Sequence, residues 1–92
     1  MEVQHRQHES KNCYRVKLGK VVIGFSYQTP VALWAEGLTC RVPDNTYSRT
    51  TNRHMRILDV TGEEVTEDEL ERRIEQALAK QAFNVISKRL DN

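Results

Sequence analysis

A chain of 92 residues has room for one hydrophobic core and not for two. With 38% hydrophobic and 29% charged residues it lies in the range of globular domains, and it has no apolar run near the roughly 20 residues a membrane-crossing helix needs. A net charge of +1 argues against a uniformly basic domain, but the charge is segregated: residues 1–58 hold nine Lys/Arg and four Asp/Glu, residues 59–92 five and nine. The polar opening does not read as a signal peptide, so a soluble, cytoplasmic protein is expected, with no membrane partner. Cys13 and Cys40 lack CxxC spacing and sit in alternating segments, which favours reduced thiols over a disulfide.

Residues 1–12 show no apolar periodicity and read as a disordered N-terminal arm, leaving residues 13–92 as a single α+β domain. Tyr14, Val16 and Leu18 alternate with Arg15 and Lys17, the period of a half-buried strand, and Gly19 supplies a reversal. The next strand, Lys20 to Tyr27, sets Val21, Ile23, Phe25 and Tyr27 against Val22, Gly24 and Ser26. Gly24 in mid-strand predicts a bulge or a close approach by another element. Gln28-Thr29-Pro30 reads as a break, because proline removes a ladder donor. Val31 to Glu36 and Leu38 to Val42 then alternate as third and fourth strands around a Glu36-Gly37 turn. Connections this short favour a four-stranded antiparallel meander, since parallel neighbours need long crossovers.

Ser48 or Thr50 is the expected N-cap of a short helix ending near Leu58. Its inward stripe would comprise Thr51, Met55 and Leu58 with His54 and Ile57 beside them, while Arg49, Arg53 and Arg56 share an outward ridge. Thr66-Glu67-Asp68-Glu69 is a capping box, with Glu69 expected to reach back to the cap. The helix it opens runs to about Lys88. Leu70, Ile74, Ala77 and Leu78 form its stripe, which broadens through Ala82, Phe83, Val85 and Ile86 in a way that suits a homodimer contact. The expected architecture is this meander covered on one face by the short helix and the longer C-terminal helix.

The chemistry concentrates in Ser48, Arg49, Thr50, Thr51, Arg53, His54 and Arg56, which place hydroxyls, guanidinium groups and an imidazole at a helix start. Backbone N–H groups and the helix dipole favour an anion there. The same residues also read as local architecture, with hydroxyls capping the helix and His54 packed and bonded to a carbonyl or to a strand hydroxyl such as Ser26 or Thr29. Catalysis has less behind it. Ser48 or Thr51 could pair with His54, but no elbow glycine or oxyanion loop accompanies them, and the carboxylates lie on the last helix and its approach. His5, His8, Cys13 and Cys40 match no established metal-ligand spacing, so neither metal nor cofactor is expected. The arginine ridge, with Arg15, Lys17, Lys20 and Arg41 and the aromatic residues Tyr14, Tyr27, Trp34 and Tyr47, keeps nucleic-acid binding open.

Phe25-Ser26-Tyr27-Gln28-Thr29-Pro30-Val31-Ala32, followed by Ser48-Arg49-Thr50-Thr51-Asn52-Arg53-His54, resembles a group of small uncharacterised bacteriophage proteins with an S-Y-x-T-x-V-A strand-turn-strand ahead of an S-x-T-T-x-x-H helix start. The resemblance spans about residues 16–60. It implies a phage-encoded viral protein acting in the host cytoplasm and carries no reaction. It also makes a meeting of Ser26, Tyr27 and Thr29 with Thr50, Thr51 and His54 attractive, as a polar network or a pocket floor. The expectation is a non-enzymatic accessory protein that binds or inhibits a host protein. The alternatives are a nucleic-acid or nucleotide phosphate binder using Ser48 to His54, with Tyr27 and Thr29 at its edge, and a structural or assembly component of a virion.

Overall fold

The computed structural model describes residues 5–10 and 12–90, with side chains over residues 12–83. Six strands, β1 (His5–Ser10), β2 (Cys13–Leu18), β3 (Val21–Ser26), β4 (Thr29–Trp34), β5 (Cys40–Arg41) and β6 (Glu63–Glu64), form one sheet in chain order. Two helices, α1 (Arg49–Ile57) and α2 (Glu67–Leu90), complete an α+β fold. Strands β2 to β5 are the expected antiparallel meander. The sheet extends beyond it on both sides: β1 pairs antiparallel with β2 where a disordered arm was expected, and β6 adds a short parallel pairing to β5.

Cross-strand partners share a face, so the register sorts the side chains. Cys13, Ser26 and Thr29, then Arg15, Gly24, Ala32 and Arg41, then Lys17, Val22 and Trp34 lie on one face; Val16, Ile23, Leu33 and Cys40 lie on the other. Hydrogen bonds join α1 to Ser26 and the residue after α1 to Arg15, which puts α1 over the first face. Arg73 of α2 acts on the Cys40 thiol, which puts α2 over the second. The helices therefore flank the sheet instead of sharing one face, because Ser26 and Leu33 point to opposite sides of the pleat.

Two glycines set the strand geometry. Gly19 turns β2 into β3 at φ 64°, and a Cβ there would lie 2.7 Å from the Gln81 side chain. That amide clasps the turn: Lys20 N–H donates to Gln81 Oε1 at 2.7 Å, and Gln81 Nε2 donates to the Leu18 carbonyl at 2.8 Å. Gly24 lies under the Trp34 ring, 3.1 Å from where its Cβ would stand, and the β3–β4 register shifts between Gly24 and Phe25. Both features expected of this glycine are thus present. Pro30 does not end a strand; it sits inside β4 opposite Phe25, beside that shift, where a missing donor is tolerated.

Leu33, Met55, Leu58 and Leu70 are fully buried, each contributing about 1.5–3 kcal/mol of transfer free energy. Cys13 and Cys40 are buried and not joined in a disulfide. Thr66 caps α2 as expected, accepting from Glu69 N–H at 3.2 Å, but the Glu69 carboxylate turns away from the cap to receive Arg73 Nε at 2.9 Å. Arg73 also donates to Glu63 at 2.7 Å and so ties β6 to α2. Of the α2 stripe, Leu70 and Ala77 are buried and Ile74 and Leu78 pack against the core, whereas Ala82 and Phe83 are exposed. The side chains of Val85 and Ile86 lie outside the described residues.

Candidate functional site

Four polar side chains run in a chain between α1 and the end of β3. Ser48, the N-cap of α1, accepts from Thr51 N–H at 3.2 Å, and its hydroxyl lies 3.3 Å from Thr51 Oγ1. The Ser26 hydroxyl donates to Thr51 Oγ1 at 3.2 Å, and Ser26 Oγ lies 2.7 Å from His54 Nδ1. A serine hydroxyl has one proton to give; with that proton on Thr51, His54 Nδ1–H donates to Ser26, and Nε2 carries the lone pair. His54 is 6% exposed, and burial first, then the neighbouring Arg53 charge, hold its pKa below the ordinary histidine value.

This arrangement meets the architectural reading of the cluster. The imidazole is covered and bonded to a strand hydroxyl, and the serine facing it is itself buried, so the pair fastens helix to sheet and presents no exposed nucleophile. Ser26, Thr51 and His54 come together as expected, with Tyr27 beside them, its ring centroid 5.3 Å from that of His54. Thr50 and Thr29 stay outside this network and are exposed. Ile57, expected on the inward stripe, is 40% exposed.

Tyr27 departs furthest from the strand reading. It lies in the turn between β3 and β4 at φ 56°, in the left-handed region, with its N–H donating to the Asn12 carbonyl at 2.6 Å. Tyr27 is 49% exposed. No sequence signal marks this, because an aromatic residue continuing an alternating run reads as one more strand position.

Arg49, Arg53 and Arg56 do form an outward ridge. All three are exposed, and none makes a hydrogen bond or ion pair among the described residues. Other arginines are engaged: Arg15 donates to the Leu58 carbonyl at 2.7 Å and lies 5.4 Å from the centre of the Trp34 ring, Arg41 pairs with Asp44, and Arg73 is held by Glu63 and Glu69. The ridge is the surface of the candidate site, and the buried polar chain is its foundation.

A cleft of about 340 Å³ lies apart from His54, lined by Gln28, Thr29, Pro30, Tyr47, Glu67, Leu70 and Glu71. Burial, and then Glu67 and Glu71, push the Tyr47 phenol up to about 12. Among the described residues no group of three or more His, Cys, Asp or Glu is placed to hold a metal ion, and no helix is long and apolar enough to cross a membrane.

No curated protein and no solved structure matches the chain. A match over residues 1–76 takes in both the buried polar chain and the arginine ridge; it shows that the chain belongs to a family of unknown function, DUF8033.

Proposed function

We propose that this protein is a non-catalytic binding module that engages the phosphate backbone of a nucleic acid through the outer ridge of α1. The observation that carries this reading is the group of three exposed arginines, Arg49, Arg53 and Arg56, on one helix face with no carboxylate drawn to them among the described residues. Arginine forks fit phosphate oxygens, and a helix fastened by buried hydrogen bonds presents them in fixed orientation. The acidic start of α2 comes near at Tyr47, where Glu67 and Glu71 line the cleft, but among the described residues neither forms an ion pair with the ridge.

Fluorescence anisotropy of a labelled oligonucleotide titrated at several salt concentrations tests it. Three phosphate contacts give a log–log slope of about −2 to −3, and the Arg49→Ala/Arg53→Ala/Arg56→Ala variant should flatten it while melting normally. Binding that ignores salt, or is unchanged in the triple variant, removes the reading. One observation favours a second role beside it: Phe83 is 68% exposed on α2, which suits self-association, and the assembly role considered from the sequence would use that face. The host factor expected from the phage-type resemblance would replace nucleic acid if the ridge captured a protein and no oligonucleotide.

A further inference from the structure

We infer that Tyr27 is a stacking platform for an unpaired base, which makes single-stranded nucleic acid the ligand class of the α1 surface; this rests on the phosphate-binding reading above. Tyr27 stands at φ 56°, where glycine or asparagine is the usual occupant and an aromatic residue is strained. The strain brings no burial in return, since the residue is 49% exposed and its hydroxyl has no partner among the described residues. One side of the ring meets His54 at an interplanar angle of 59°, so the imidazole props the phenol and does not cover it as a parallel stack would.

Helix geometry places this platform beside the ridge. At 100° per residue, Thr50 and Ile57 follow His54 around α1, and Arg53 comes next, then Arg49 and Arg56. The surface therefore passes from an exposed tyrosine, across a threonine and a half-open isoleucine, to three cations unpaired among the described residues. Duplex DNA keeps its bases stacked inside and offers such a ring nothing flat to meet. A single strand can lay its phosphates on the guanidinium groups and turn a base onto the phenol.

The test compares binding of a labelled oligothymidylate of about 12 nucleotides with binding of a duplex of equal length, at fixed low salt. The single strand is expected to bind at least about tenfold more tightly. Tyr27→Gly should lower single-strand affinity by about fivefold or more, leave duplex affinity unchanged and keep the wild-type melting temperature, because glycine accepts this φ. Tyr27→Asn, which also tolerates it, guards against a folding defect in the glycine variant, and Tyr27→Phe should retain affinity because the ring does the stacking. Equal affinity for both forms, insensitive to Tyr27→Gly while the triple arginine variant still loses both, overturns the platform and leaves the phosphate-binding reading standing. Absence of salt-dependent binding to either form overturns both.

Discussion

The two helices are held to the same sheet by different physics. The nine-residue α1 is too short to persist alone and buries only Thr51, His54 and Met55, two of them polar; directional bonds to Ser26, with Arg15 on the carbonyl of the residue that ends it, keep it in place. The 24-residue α2 presents an apolar stripe and starts with a threonine cap and three acidic residues that suit its dipole. Buried area carries most of the hold on α2, with Arg73 on Glu63 and the Gln81 clasp fixing its position, whereas on α1 buried polar bonds carry most of it. Their cations differ too: Arg72 and Arg73 of α2 are paired with carboxylates, and those of the α1 ridge are not among the described residues. A helix oriented by buried polar atoms suits a surface that must aim its side chains outward.

Substitutions can break this contrast. Leu70→Ala should cost about 2–5 kcal/mol in denaturant unfolding, because it opens a cavity under α2, and a loss below about 1 kcal/mol would show that α2 does not depend on apolar burial. Ser26→Ala should cost about 1–3 kcal/mol by leaving buried polar groups on α1 without their strand partner. Amide exchange should then speed up in α1 and stay protected in α2, whereas equal acceleration in both helices would erase the distinction.

The smallest expected effect concerns pH. Burial, and then Arg53, lower the folded-state pKa of His54 below the ordinary histidine value of 6.5, so the fold favours the neutral ring. Its contribution is whole above about 6.5 and is lost as pH falls through the lower folded value, where the unfolded chain binds the extra proton. Wild type should therefore lose more stability on acidification from pH 7 than His54→Gln does, and parallel curves would remove His54 as the cause.

Much of the fold was legible because punctuation and period agreed. Gly19, the Ser48 cap and the Thr66 box mark β2 to β5 and both helices. Strand β1 was not, because a polar segment can pair with an open edge without any pattern of its own, and β6 is two exposed glutamates. Which helix lies on which face was hidden too, since it follows from pleat and register. At the site, the meeting of Ser26 with Thr51 and His54 could be anticipated from residue types that satisfy one another, and the ridge from its spacing. The conformation of Tyr27 could not, because a left-handed backbone under an aromatic side chain leaves no compositional trace.

The Gln81 clasp on the β2–β3 turn makes the span from Leu70 to Gln81 a ruler. An α-helix advances about 1.5 Å and rotates about 100° per residue, so inserting or deleting one residue between them would swing the amide off the turn while Leu70 stayed seated. Length in that stretch is thus fixed by gauge: even a whole heptad, which nearly restores the rotation, would carry the amide about 10 Å along the axis and away from the turn.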